Sequence, residues 1–176
     1  KIASENLFIY APLALRIGLY NIKSELEDLG LKHTDLRKYN HIKNKIEKGQ
    51  EKQGVYINKF SSMIEKALDK ESFKYSINGR SKSIYSIFNK MENQSIQFED
   101  IYDKFAIRIV YSSDVENEKF IAWKIYSIIT DHFIPNPTRL RDWITAPKST
   151  GYEALHITVS GPENQWVEVQ IRSERM

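Results

Sequence analysis

The sequence predicts an α+β fold: a mixed sheet of about five strands flanked by helices and preceded by a helical segment. Three observations carry this. Apolar residues recur at helical spacing through the first third of the chain. Beyond residue 72, short β-branched and aromatic runs alternate with helical patterns. Near the end, Gly161-Pro162-Glu163-Asn164 offers a ready turn between two such runs.

Residues 11–18 (APLALRIG) start or restart a helix at Pro12, which the first helical turn tolerates. Ile22, Leu26 and Leu29 continue at helical spacing, with Glu25, Glu27 and Asp28 turned outward and Gly30 as a stop. Thr34 precedes Leu36, Tyr39, Ile42 and Ile46, and Val55, Ile57, Phe60, Ile64 and Leu68 resume the stripe beyond Gly49 and Gly54. The spacing leaves open whether this is one long helix or two. Residues 73–78 read as a short strand ending at Gly79, and 81–91 as a helix with Ile84, Ile87, Phe88 and Met91 on one face. Residues 105–111 (FAIRIVY) form a central strand, 116–133 a helix, and 143–146, 154–160 and 166–171 three further strands.

The 176 residues are 41% hydrophobic and 28% charged, which suits one soluble domain, or one domain plus an appendage. No apolar run approaches the ~20 residues of a bilayer span, so no membrane partner is expected. With no cysteine, disulfides, thiolate zinc sites and cysteine nucleophiles are excluded. A reducing cytoplasm fits that usage. The chain begins at Lys1 without a signal peptide, and is expected to be a domain excised from a longer protein. Its net charge of +3 conceals a block at residues 32–90 with fourteen Lys and Arg against six Asp and Glu. Such a block suits a polyanionic ligand, although a solvated helical surface is the commoner fate of a Lys-rich stretch taken alone.

Phosphate-binding glycine loops and the H-E-x-x-H zinc motif are absent, and His33, His41, His132 and His156 have no metal-ligand spacing. Any phosphate must then be held by side chains. Lys82, Ser86 and Lys90 recur every four residues beside the apolar stripe of the 81–91 helix. Arg80 stands just ahead, where a helix presents free N–H groups to an anion. Two acids sit on strands: Asp103 precedes 105–111, and Glu168 alternates with Val167 and Val169. Two carboxylates on neighbouring strands suit Mg²⁺, with Arg108 and Gln170 flanking them, although an outward strand face is an equal explanation. A third cluster, Arg139-Leu140-Arg141-Asp142-Trp143 with residues 146–156, combines cations with Tyr152 and His156, as a base with phosphates would require.

In this order the three clusters resemble the RelA/SpoT family of (p)ppGpp synthetases. Its G-R-x-K-x-x-Y-S-I-x-x-K-M, Y-D-x-x-A-I-R, R-x-K-D-Y-I-x-x-P-K-x-N-G-Y-x-S-L-H-T and V-E-I-Q-I-R-T motifs stand here at 79–91, 102–108, 139–157 and 167–173. The resemblance implies a nucleotidyltransferase-like sheet that moves pyrophosphate from ATP to the 3′-hydroxyl of GDP or GTP, releasing AMP. It implies that Arg80 and Arg108 hold adenine, and that Lys82, Ser86 and Lys90 hold the ATP phosphates. Asp103 and Glu168 would bind Mg²⁺, with Glu168 taking the acceptor proton. Tyr152 would stack on guanine while Lys148, His156 and Gln170 fix the acceptor nucleotide, with Arg139 and Arg141 in the basic loop beside it. Residues 1–34 resemble the junction through which two-domain members join hydrolase to synthetase. The synthetase domain then spans 35–176, with its catalytic core at about 73–176, and the hydrolase motif is absent. Ribosome contact is expected only through regions outside this chain, and no direct nucleic-acid binding is expected of it.

The basic loop departs from the family pattern with Arg141 for Lys, and Trp143, Thr150, Ala154 and Ile157 replace Tyr, Asn, Ser and Thr. Two other functions compete: a catalytically silent nucleotide-binding or regulatory module, and an RNA-binding domain using the 32–90 block.

Overall fold

The computed structural model describes residues 2–101 and 105–176, apart from the side chains of Gln50, Glu51 and Phe105. The chain divides into two compact units, one of Lys1–Glu51 with Lys82–Lys104 and the other of Lys52–Ser81 with Phe105–Met176. No helix among the described residues is long and apolar enough to cross a membrane.

The first unit is helical. Helix α1 (Ile2–Glu5) passes through a π-helical stretch, Asn6–Tyr10, into α2 (Ala11–Arg16), and α3 (Tyr20–Thr34) follows. Helix α3 runs through Gly30 instead of stopping there. A Cβ at Gly30 would lie 2.5 Å from Leu7 Cγ, so this glycine admits a neighbouring side chain and does not cap the helix. Glu27 and Asp28 are not on the outward face expected of them. Glu27 is 9% exposed, and Asp28 bonds to a later helix.

Helix α4 (Leu36–Leu68) is one continuous element, and the division into units falls inside it. Each of its two interior glycines disfavours helix by about 1 kcal/mol, too little to break a helix anchored at both ends by buried side chains. Those anchors are Ile42 in the first unit and Phe60, Ile64 and Leu68 in the second. Helix α5 (Ile84–Gln94) is capped by Ser83, three residues later than the expected start, and closes at Ser95 in the left-handed region. Its Ile87 joins Ile42 and Ile101 in a small core, with Phe88 and Met91 against them.

The second unit is built on a five-stranded sheet of order β1-β2-β5-β4-β3. Strand β1 (Tyr75–Ser81) pairs antiparallel with β2 (Phe105–Tyr111), which runs parallel to β5 (Trp166–Ser173). Strand β5 pairs antiparallel with β4 (Leu155–Ser160), and β4 with the short β3 (Arg141–Asp142). The mixed sheet of five strands is thus the one the sequence predicts. Helix α6 (Glu118–His132) follows a 3₁₀ turn at Val115–Asn117.

Two of the expected strands change in substance, and others shift at their ends by one or two residues. Strand β1 continues past Gly79, because its pairing with β2 extends to Ser81↔Phe105. Residues 143–146 form a turn and not a strand, because Asp142 Oδ1 accepts from the N–H groups of Ile144 (3.0 Å) and Thr145 (2.8 Å). Those bonds outweigh burial, which works the other way, and hold the Asp142 carboxyl below its ordinary value.

Alternation along each strand sorts the side chains onto two faces. Odd-numbered residues, among them Ile107, Ile109, Tyr111, Leu155, Ile157, Val167, Val169 and Ile171, meet Phe60, Ile64 and Leu68 of α4 and Ala122, Ile125 and Ile129 of α6 in one core. At ~1.5–3 kcal/mol per fully buried large apolar side chain, this face dominates the unit's stability. The even-numbered face takes the polar residues.

Candidate active site

Strand register sets the polar residues in rows. One row reads Asn78, Arg108, Gln170, His156 and Arg141 across all five strands. The next reads Arg80, Ala106, Glu168 and Thr158. Side chains two apart on a strand or opposite across it approach within about 4.5–8 Å, so residues distant in sequence become neighbours.

Their contacts form a chain. The Tyr152 hydroxyl meets His156 Nε2 at 2.8 Å, and His156 Nδ1 lies 3.5 Å from Glu168 Oε1. Gln170 Nε2 donates to the same carboxylate oxygen at 2.7 Å, and Arg108 donates to Gln170 Oε1 at 3.3 Å. Burial pushes the His156 imidazole down to about 4, against the pull of Glu168 and with the help of Lys148, Arg108 and Arg80. His156 is therefore neutral at pH 7. Its two ring nitrogens face different partners, Nε2 the Tyr152 hydroxyl and Nδ1 the Glu168 carboxylate.

Cations crowd this face. Burial, and then Arg80, lower the Arg108 guanidinium from its usual range; Arg172 acts in the same direction. The buried Arg108 Nε has no hydrogen-bond partner. A buried donor left unpaired beside other guanidiniums is an unfavourable arrangement that an electron-rich or anionic ligand relieves. Arg172 was missed by sequence reasoning, although the alternation that selected Glu168 and Gln170 reaches it at the next even position. Lys148 lies over two rings, 4.8 Å from the centroid of Trp143 and 5.2 Å from that of Tyr152. Its loop turns at Gly151, where φ is +75° and a side chain would be strained.

The structure thus brings together Arg80, Arg108, Lys148, Tyr152, His156, Glu168 and Gln170. Arg139 is exposed in the 3₁₀ turn Pro137–Arg139. Arg141, also exposed, folds back to donate to the carbonyls of Thr138 (3.0 Å) and Leu140 (2.9 Å). Lys82, Ser86 and Lys90 belong to the first unit, where Ser86 Oγ accepts from the Ser83 hydroxyl at 2.7 Å.

The open helix N-terminus expected in that unit is filled. Asp28 accepts from Tyr85 N–H (2.7 Å) and Ile84 N–H (3.4 Å), and Ser83 Oγ accepts from Ser86 N–H (3.2 Å). Three of the four orphan donors of α5 are therefore satisfied from within the protein, and any anion at this helix must be met by side chains.

Asp103 lies outside the described residues. Among those described, no three His, Cys, Asp or Glu side chains gather as metal ligands. Glu168 supplies a single, partly exposed carboxylate. That fits Mg²⁺, which binds through one or two carboxylates plus substrate phosphates instead of a preformed protein cage.

Residues 79–176, more than half of the chain, match the family described as "Region found in RelA / SpoT proteins". Over its whole length the chain is 36% identical to a guanosine-3′,5′-bis(diphosphate) 3′-pyrophosphohydrolase of Vibrio cholerae, covering 24% of that protein. It is 35% identical to a GTP pyrophosphokinase of Myxococcus xanthus, covering 23%. The chain therefore spans about a quarter of the length of these relatives. A GTP pyrophosphokinase family protein from Streptococcus pneumoniae shares the fold, with a TM-score of 0.54 at 23% identity over 76% of this chain and 70% of that one. With the motif residues Arg80, Arg108, Glu168 and Gln170 in two adjacent rows of that sheet and the family match running over residues 79–176, the chain belongs to the RelA/SpoT family.

Proposed function

We propose that this chain transfers pyrophosphate from ATP to the 3′-hydroxyl of GDP or GTP, forming (p)ppGpp and AMP. The observation that carries the reading is the polar sheet face, where the Tyr152–His156–Glu168–Gln170–Arg108 chain meets Arg80, Arg172 and Lys148. The named activity of the Myxococcus xanthus relative supports it.

Transfer of this kind asks a protein for positioning and charge neutralisation more than for covalent chemistry. Arg80 and Arg108 take the adenine, and Lys82, Ser86 and Lys90 take the ATP phosphates. Tyr152 stacks on guanine, with Lys148, Arg139 and Arg141 toward the acceptor's phosphates. Glu168 removes the proton from the attacking 3′-hydroxyl. Gln170 Nε2 donates to Glu168 Oε1, which His156 Nδ1 also faces, and the two orient it for that step. Glu168 and Asp103 hold Mg²⁺, which when bound neutralises charge on the phosphate oxygens. ATP and guanine nucleotides place this work in the cytoplasm, and ribosome contact falls to other parts of a longer protein.

The test is AMP formation from ATP, which should require both Mg²⁺ and a guanine nucleotide and stop on chelation. Glu168→Gln keeps the shape of the side chain and removes its basicity. Turnover should fall at least ~100-fold, the low end of what a positioned base supplies. A loss below tenfold removes Glu168 from the role of base.

A further inference from the structure

Behind Tyr152, on the helix-covered side of the sheet, lies a second polar cluster that the proposed reaction does not use. Glu118, at the first position of α6, is 3% exposed. Its carboxylate accepts from the Ser173 hydroxyl at 2.5 Å and from Arg175 through Nε (2.9 Å) and a terminal nitrogen (2.6 Å). That same terminal nitrogen donates to Glu153 Oε2 at 2.6 Å. One guanidinium therefore joins the start of α6, the end of β5 and the segment leading into β4.

Glu153 is the residue next to Tyr152. Ala154 is fully buried, and its carbonyl accepts from Trp143 N–H at 3.0 Å. The Tyr152 carbonyl accepts from Lys148 N–H at 3.1 Å. Fixing the Glu153 side chain from behind thus leaves the backbone on either side of it little freedom, and the direction of the Tyr152 ring follows from that backbone. The forked, planar guanidinium suits this work, because it holds one carboxylate bidentately and still reaches a second.

We propose that Arg175 is a positioning residue: by clamping Glu153 to Glu118 it sets the 151–155 segment and with it the angle at which Tyr152 meets the acceptor base. The inference rests on the reading of Tyr152 as the guanine platform. The clamp bonds Glu153, beside Tyr152, and no residue assigned to ATP, so its direct effect falls on acceptor binding.

Three variants of this chain test it: Arg175→Met, which keeps the aliphatic stem; Arg175→Lys; and Glu153→Gln, which frees the segment while retaining the Glu118–Arg175 pair. Amide hydrogen exchange and calorimetric titration with GDP and with a non-hydrolysable ATP analogue are the measurements. Arg175→Met and Glu153→Gln should speed exchange at Tyr152, Glu153 and Ala154 and weaken GDP about fivefold or more, within the ~5–150-fold that base–aromatic stacking spans. ATP-analogue affinity should stay within about twofold, and Arg175→Lys should recover part of the GDP loss. Unchanged exchange at the three amides, or equal weakening of both nucleotides, overturns the proposal. Faster exchange with unaltered GDP affinity overturns the positioning role and leaves Tyr152 as the platform. Failure of the unmutated chain to bind GDP overturns the Tyr152 reading and this inference with it.

Discussion

Asp28 and Glu118 are two carboxylates withdrawn from water at the start of a helix, one in each unit, and they end in opposite electrostatic states. Asp28 faces the first N–H groups of α5. Burial raises its carboxyl above the ordinary value, and the bonds from Tyr85 and Ile84 and the charge of Lys23 fall short of reversing that. Glu118 starts α6 and is less exposed to solvent than Asp28, and burial again pushes upward. Here hydrogen bonds from Arg175 and Ser173, with the charge of Arg175, reverse the direction and hold the carboxyl below its usual range. Helix N–H groups stabilise an anion in part; a forked cation in contact reverses the effect of desolvation. The helical unit therefore uses a half-buried acid as a cap, and the sheet unit uses a buried one as half of a clamp.

The widest separation between the two should come from Glu118→Gln, which leaves the shape and removes the charge that Arg175 meets. Hydrogen bonds to charged groups contribute ~1.5–3 kcal/mol, and a loss of that size in chemical denaturation is expected. A change under about 0.5 kcal/mol, the range of ordinary surface substitutions, would put Glu118 on the same footing as a solvated side chain. Asp28→Ala should follow, with a loss of about 1 kcal/mol, typical of a helix N-cap. Asp28→Asn, which still offers an oxygen, should lose less; equal losses would mean that charge, not acceptance, holds α5.

Acid separates the two acids by sign. The folded chain holds Glu118 below its unfolded value, so that stabilisation is complete above the unfolded value of about 4.3 and disappears as pH falls through the lower folded one. Asp28 is raised, so the folded state binds its proton before the unfolded state does. Its contribution therefore grows as pH falls through the raised value toward the unfolded ~3.9. Melting temperature measured from about pH 6 to pH 3 should fall less steeply in Glu118→Gln than in the parent, and more steeply in Asp28→Asn. Parallel curves for all three would erase the distinction.

How much of this was legible in the sequence followed the range of the interactions. Strand alternation is local, so the FAIRIVY strand and the polar set Arg108, Glu168 and Gln170 could be read directly, and the five-stranded sheet with them. The filled N-terminus of α5 could not, because Asp28 arrives from 57 residues before Tyr85. Gly30 has the composition of a stop, yet Leu7 gives it another purpose. The 143–146 run has the residues of a strand, but the Asp142 side chain ends the pairing there. Arg175 carries no pattern at all, and its two carboxylate partners lie 57 and 22 residues away.

The division of the sheet into an odd core face and an even polar face also governs which sequence changes the family fold can absorb. Deleting one residue within β2 or β5 would exchange the two faces downstream of the deletion, driving a carboxylate or guanidinium toward Phe60 and Ile125 and turning valines to water. Substitution at an even position leaves the odd face untouched. New chemistry can therefore be tried by point mutation while length changes are purged as folding failures. Hydrophobic packing, indifferent to nucleotides, thereby acts as the proofreading frame for the residues that would handle them.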